Sequence, residues 1–225
     1  MPMTDMALKL TGVSKTYNTR GLTVKALQDA NLKVGKGEIL CLMGSSGSGK
    51  TTLLKVSAGL LEPNSGKVLL LGKDLYHLPH RERVALRRNQ TAFMFQEDLL
   101  IDTLTVRENV ELGLIIEGYP KKLRAKLVEN ALEAVGLNRM ETRMPMEVSG
   151  GERRRISLAR CLARRPEILF LDEPTSNLDT DTALTMLDIM KQLNSQGVTI
   201  ILSSHDPLIA KRVGNVNHIR DGTLR

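Results

Sequence analysis

The chain has 225 residues, enough for one domain or one domain with a sub-domain. Hydrophobic residues make up 41 %, an ordinary globular content, and no apolar run approaches the ~20 residues that cross a bilayer. The net charge of +7 admits nucleic acid, an anionic membrane surface or a polyanion as partner, but aromatics at 3 % leave few platforms for stacking single strands.

In chain order, the N-terminal Met-Pro-Met-Thr-Asp-Met-Ala-Leu-Lys-Leu has no basic patch leading into an apolar core, so no leader and a cytoplasmic location are expected. Short continuous apolar runs follow at Ile39–Met43, Val68–Leu71, Ile168–Leu171 and Val198–Leu202. Without alternation, these predict strands buried on both faces of a parallel sheet. Helical spacing of apolar residues runs from Leu123 to Val135, with Gly136 as a stop, and again from Thr182 to Leu193. Strands alternating with helices predict an α/β fold. The stretch from Asp74 to about Gly150 is rich in charge and helical pattern, and predicts an inserted, mostly helical lobe. Basic residues gather at His80–Arg88, Lys121–Lys126, Arg153–Arg155 and Arg160–Arg165. Cys41 and Cys161 lack metal-type spacing and read as reduced, buried thiols. His77, His80 and His218 match no motif and read as surface residues.

Gly44, Ser45, Ser46, Gly47, Ser48, Gly49, Lys50 and Thr51 form a GxxxxGKT phosphate loop between a predicted strand and a predicted helix that opens with Thr52. Glycines there let backbone N–H groups approach phosphate oxygens, and the helix N-terminus adds a favourable dipole. Lys50 is expected on the β- and γ-phosphates and Thr51 on Mg²⁺. The apolar run Ile168–Leu171 ends in Asp172 and Glu173. Adjacent carboxylates on a strand point to opposite sides, so Asp172 is expected beside the metal and Glu173 beside the attacking water as general base.

Ser149, Gly150, Gly151 and Glu152 fit a capping box for a helix over about 151–163. Two glycines in the first turn weaken a helix, and Arg153, Arg154 and Arg155 sit near its positive end. Both oddities suit an anion docked at this tip. With one phosphate loop already in the chain, the tip predicts a second copy and a two-fold dimer with shared sites.

These residues in this order resemble the ATP-binding-cassette (ABC) nucleotide-binding domain over essentially the whole chain: the glycine loop, the Phe93-Met-Phe-Gln96 segment, Val148-Ser-Gly-Gly-Glu152, Leu171-Asp-Glu-Pro-Thr-Ser-Asn-Leu-Asp179 and Ser203-Ser-His205. The resemblance implies a parallel-sheet core of the RecA kind, an N-terminal antiparallel β subdomain and a helical lobe. The core with its β subdomain would cover about 1–90 and 165–225, and the lobe about 91–164. It also implies ATP and Mg²⁺ as cofactors, with Thr51, Gln96 and Asp172 at the metal. Gln96 would sense the water, His205 grip the γ-phosphate, and Tyr17 stack on adenine. Ser149, Gly150, Gly151 and Glu152 would meet the ATP of a partner copy, with Asp179 in the loop joining the two sites. No nucleic acid partner is implied. The expected setting is the cytoplasmic face of the inner membrane, beside integral membrane permease subunits.

Thr175-Ser-Asn-Leu-Asp179, Leu78–Arg88 and the ending Arg220-Asp-Gly-Thr-Leu224 are similar to the lipoprotein-releasing and macrolide-exporting branch, whose membrane subunits have four spans and a large extracytoplasmic domain. No C-terminal regulatory domain of the importer kind is expected. Three features depart from the usual pattern: Val148 for Leu, Glu152 for Gln, and Glu97-Asp-Leu-Leu-Ile-Asp102 where the branch has an aromatic and then Leu-Leu-Pro. The last segment lies where family members receive the membrane subunit. A soluble ABC ATPase acting on nucleic acid or ribosomes, and a small-molecule kinase using the same loop, stay as alternatives. The second of these leaves Ser149–Glu152, Gln96 and His205 unexplained.

Overall fold

The computed structural model describes residues 5–19 and 21–225; residues 1–4, part of the segment read for a leader, and Arg20 lie outside the described residues. β1 (Met6–Thr19) and β2 (Leu22–Gly35) form a long hairpin, joined by β4 (Ser65–Leu70) and β5 (Lys73–Asp74) in a four-stranded antiparallel sheet of order β2-β1-β4-β5. The second sheet holds β3 (Ile39–Met43), β6 (Thr91–Met94), β7 (Ile168–Leu171), β8 (Thr199–Ser204), β9 (Val216–Arg220) and β10 (Thr223–Leu224). Its order is β10-β9-β3-β8-β7-β6, parallel throughout except for the terminal β9–β10 pair.

Helices α1 (Lys50–Ser57), α2 (His80–Gln90), α3 (Val106–Ile116), α4 (Lys121–Ala134), α5 (Gly150–Leu162), α6 (Thr180–Ser195) and α7 (Pro207–Val213) complete the chain. No helix among the described residues is long and apolar enough to cross a membrane. The parallel strands bury both faces. Cys41, Leu169, Leu171, Ile200 and Leu202 face a core shared with α3–α6, whereas Leu40, Leu42, Ile168, Phe170 and Ile201 face one shared with α1 and the antiparallel sheet. Burial pushes the Cys41 thiol up to about 12 and the Cys161 thiol to about 11, and neither is in a disulfide.

Two expectations need correction. Val68–Leu71 is not a parallel strand: β4 pairs antiparallel with β1 and ends at Leu70, and Leu71 turns at φ 50 ahead of Gly72. The other core covers this sheet from one side, so a short apolar run arises without a parallel neighbour. The stretch after Asp74, expected to be mostly helical with its lobe from about 91, begins that lobe inside the core sheet. It contains β6, the edge strand of the parallel sheet, which pairs with β7 from Thr91↔Ile168 to Met94↔Leu171. Within α4, Leu127, Val128, Ala131 and Leu132 are buried as the spacing predicts, but Leu123 in its first turn is exposed.

The segment leaving β6 is pinned where it enters α3. A capping box of Thr105 and Glu108 starts α3. The buried Asn109 amide donates to the carbonyls of Ile101, Leu104 and Thr105, and its oxygen accepts from the Ile101 N–H. These bonds fix how residues 101–105 enter α3.

Candidate functional site

The loop 44–49 leaves the C-terminal end of β3 and enters α1 without a side-chain cap. Gly49 sits at φ 110, and a Cβ there would lie 2.4 Å from the Ala26 carbonyl oxygen; at Gly44 it would lie 2.4 Å from that of Ile219. The loop therefore fits between β2 and β9 only as glycine. Lys50 is 5 % exposed, and its ammonium donates to the carbonyls of Gly44 (2.8 Å) and Ser45 (3.0 Å) and pairs with Glu173 Oε1 at 3.2 Å. Ser48 Oγ is buried without a hydrogen-bond partner among the described residues.

Asp172 follows β7 and is 2 % exposed; its Oδ1 accepts from Thr51 Oγ1 (3.1 Å) and Ser203 Oγ (2.8 Å). Ser203 Oγ also accepts from the Glu173 N–H at 2.9 Å. Glu173 Oε2 lies 2.9 Å from His205 Nδ1. The strand-pleat argument for the two carboxylates does not hold: β7 ends at Leu171, and Glu173 has φ 47. A left-handed turn, uncommon outside glycine, separates their directions. Its carbonyl oxygen accepts from the Ser176 N–H (3.1 Å) and hydroxyl (3.0 Å), which holds the turn.

Ser45, Ser46, Gly47, Gly49, Lys50, Thr51, Thr52, Gln96, Glu173 and His205 line one cleft of about 690 Å³. Asp172 lies beside it, lining an adjoining pocket with Thr51, Gln96 and Asn177. Gly44 and Ser48 do not line the cleft but pack on each other in the loop, where a Cβ at Gly44 would lie 2.6 Å from Ser48 Oγ. Tyr17 does not line the cleft; it pairs across the hairpin with Val24, which does, and Lys15 Nζ sits 5.8 Å from its ring centre.

Sequence reasoning missed the opposite wall, made by Val24, Lys25, Ala26 and Gln28 of β2 and by Asp221-Gly222 between β9 and β10. The Gly222 N–H donates to the Ser48 carbonyl (2.9 Å), and Gln28 donates from its N–H to Gly222 and from Nε2 to the Asp221 carbonyl, both at 2.8 Å. An Asp-Gly pair is a tight-turn signal in sequence, but nothing local says that the turn lands on the loop.

The structure does not bring Ser149, Gly150, Gly151 and Glu152 to that cleft. They open α5 with a complete capping box, Ser149 Oγ accepting from the Glu152 N–H and Glu152 Oε2 from the Ser149 N–H. Ser149 and Gly150 are exposed. Gly151 has a reason within the chain: a Cβ would stand 2.4 Å from Thr182 Cγ2. Asp179 caps α6 by accepting from the Thr182 N–H (2.9 Å) and hydroxyl (2.6 Å), and these bonds hold its carboxyl below the usual range.

The three arginines also find partners within the chain, although Arg155 Nε is buried with none among the described residues. Arg153 donates to the Asp98 carboxylate at 2.7 Å, Arg154 to Ser176 Oγ at 2.9 Å, and Arg155 to the Val135 carbonyl at 3.2 Å. The Arg153 bond holds the Asp98 carboxyl below its ordinary value. His205 and Gln96 are exposed, as are His77, His80 and His218.

Comparison with known proteins agrees with this geometry. The family described as ABC transporter matches residues 27–176. The lipoprotein-releasing system ATP-binding protein LolD of Shewanella oneidensis is 37 % identical over 99 % of this chain and 97 % of its own. The bacitracin export ATP-binding protein BceA of Halalkalibacterium halodurans is 36 % identical over 96 % of this chain and 86 % of its own. Among solved structures, the dimeric cassette MJ0796 in a post-hydrolysis state bound to ADP and Pi superposes with a TM-score of 0.88 at 34 % identity, covering 97 % of this chain and 96 % of that one. With a family match over most of its length and a glycine loop and buried carboxylate at one cleft, the chain belongs to the ABC transporter family, as the ATP-binding and ATP-hydrolysing subunit that powers a membrane transporter.

Proposed function

We propose that two copies of this chain close over two ATP molecules and drive integral membrane permease subunits at the cytoplasmic face of the inner membrane. The observation that carries this reading is a division of labour. Lys50, Thr51, Glu173 and His205 line one cleft with Asp172 beside it, while the capped tip at Ser149 is exposed and takes no part in its lining. A cleft with one wall of phosphate donors is completed by the helix tip of a second copy. The relatives' names support an exporter or mechanotransmitter. The substrate class is lipoprotein, lipid, peptide, haem or drug-like molecule, and the permease has four spans and a large extracytoplasmic domain.

ATP phosphates lie on the uncapped N-terminus of α1 with Lys50 beside them. Lys50 then exchanges its Glu173 partner for phosphate oxygens. The carboxylate so released accepts a proton from the attacking water, with His205 on the γ-phosphate. The oxygen donors Thr51 Oγ1 and Asp172 Oδ1, 3.1 Å apart, fit Mg²⁺, which keeps several waters and few protein ligands. Bound there with Gln96 nearby, the ion would neutralise phosphate charge. Ser149, Gly150 and Gly151 serve the partner's γ-phosphate. Tyr17, paired across the hairpin with the cleft-lining Val24, stacks on adenine.

Replacing Glu173 by Gln keeps the shape of the site and removes the base. This variant should bind ATP, lose hydrolysis by at least ~10²-fold and elute as a dimer in ATP with Mg²⁺. A Glu173→Gln protein that hydrolyses ATP normally, or stays monomeric, counts against this assignment.

A further inference from the structure

The mechanism above gives no task to Arg154. Its guanidinium is buried, with 7 % of the residue exposed, and among the described residues it has no carboxylate within 4.0 Å. Such a cation is costly to bury, and a neutral side chain could fill the space. Its polar contacts lie on two other segments. One guanidinium nitrogen donates to Ser176 Oγ at 2.9 Å and another to the Phe95 carbonyl at 3.4 Å. Phe95 precedes Gln96, and Ser176 closes the turn that aims Glu173.

The bonding order follows from donor counts. Arginine has no acceptor, so Ser176 Oγ must accept from Arg154. The single hydroxyl proton of Ser176 is then directed at the Glu173 carbonyl, 3.0 Å away. That carbonyl belongs to a residue held at φ 47, a conformation that persists only where its surroundings enforce it. Burial pulls the Arg154 guanidinium below its usual range, against the pull of Asp98 and Glu173. The neighbouring polar side chains of α5 do not reach the Glu173 turn: Ser157 and Arg160 donate to carbonyls at Asp98 and Leu99, Arg153 to the Asp98 carboxylate and the Pro145 carbonyl, and Arg155 to the Val135 carbonyl.

We propose that Arg154 is a positioning residue for hydrolysis. Through Ser176 it holds the Glu173 turn, and through Phe95 the Gln96 segment, so that α5, whose tip serves the partner's ATP, is mechanically tied to this chain's own base. The inference rests on the assignment of Glu173 as base. A shift of α5 when its tip is engaged moves the relay and re-aims the carboxylate. Misplacement by about 1 Å costs on the order of 10²-fold in rate, so a two-bond relay is a sufficient lever.

The test measures phosphate release by the full chain against ATP concentration for Arg154→Met, Arg154→Lys, Ser176→Ala and Arg154→Met/Ser176→Ala, with thermal melts alongside. Arg154→Met should lower kcat by ~10–100-fold while KM for ATP moves less than about threefold. Lys should restore part of the loss. The double variant should be no worse than Arg154→Met alone, because both lie on one path. Wild-type kcat in Arg154→Met, or additive losses in the double variant, overturns the relay. If Arg154→Met does not fold, Ser176→Ala decides, since it removes one hydroxyl; kcat within about twofold of wild type there overturns the proposal. Glu173→Gln run in parallel separates the two readings. Full turnover in that variant removes Glu173 as base, whereas a dead Glu173→Gln with an active Arg154→Met removes only the relay.

Discussion

The two glycine-rich helix starts of this chain are built for opposite situations. α1 begins at Gly49 with no side-chain cap, inside a cleft walled by β2 and the β9–β10 turn. α5 begins at Ser149 with its cap complete and with Ser149 and Gly150 in solvent. An uncapped N-terminus is stable where an anion supplies the missing acceptor; a capped one stands alone and still presents a positive end. The first is therefore committed to its ligand within the chain. The second is self-sufficient until another surface brings an anion to it.

The largest effect should come from breaking the committed end. Lys50→Ala removes the cation that bridges the loop carbonyls and Glu173. ATP turnover should fall by at least ~10³-fold, since both phosphate charge stabilisation and loop geometry are lost. Phosphate release measured at saturating ATP checks it. Turnover within tenfold of wild type would mean that the cleft is not the hydrolytic site.

Gly150→Glu tests the self-sufficient end. A Cβ at Gly150 meets nothing within 4 Å, and a carboxylate in the first turn suits the helix dipole by about 0.3–1 kcal/mol. The folded chain should therefore melt no lower than wild type. The same charge repels an approaching γ-phosphate, so turnover should drop by roughly 10²-fold or more. Stability retained with activity lost is what a site used only by a partner copy requires. Activity retained would make Ser149–Glu152 a helix cap and nothing further.

How much of this contrast could be read in the sequence depends on how local its cause is. The glycine loop and the capping box are contiguous, and each declares its backbone geometry through residue types at fixed spacing. Ile168–Leu171 and Ile39–Met43 also declare themselves, because burial on both faces leaves an unbroken apolar run. Val68–Leu71 has the same signature but belongs to the antiparallel sheet, since strand direction is set by β1, a partner ~60 residues away. The left-handed Glu173 turn was invisible because Ser176 and Ser203 enforce it, not its own side chain. The arginines after Glu152 looked like a search for an anion because Asp98, Ser176 and Val135 are distant in sequence. The β2 wall of the cleft carries no motif at all.

Gly151 shows how a motif residue can serve two demands at once. Its missing Cβ makes room for Thr182 Cγ2, and the Thr182 hydroxyl is tied to Asp179 at 2.6 Å, so the methyl cannot rotate away without loosening the α6 cap. Gly151→Ala should destabilise the fold by about 1–3 kcal/mol through overpacking. Adding Thr182→Ser removes the clashing methyl, keeps the hydroxyl, and should restore most of that loss in a melt. If turnover stays low after stability returns, Gly151 also serves the phosphate side. If both return together, the packing against α6 accounts for the glycine.

The smallest expected effect concerns the bond between α5 and the segment after Gln96. Arg153 holds the Asp98 carboxyl below its unfolded value of 3.8, and both side chains are about a quarter exposed. A carboxylate whose folded value is depressed adds stability above the unfolded value, and this contribution is lost as pH falls from 3.8 through the folded value. Asp98→Asn should therefore cost about 1–2 kcal/mol at neutral pH, in the range for a charged hydrogen bond with partial solvent screening. Urea unfolding of wild type and variant as a function of pH reads the difference. The gap should be constant from pH 7 to about 5 and narrow below 3.8. A gap of the same size at the acid end would show that Asp98 acts through the shape of its bonds to Arg153 and the Leu100 N–H, not through charge. In that case the Glu97–Asp102 segment is fastened to α5 by geometry alone, and acidification would leave that link to the capped end of α5 intact.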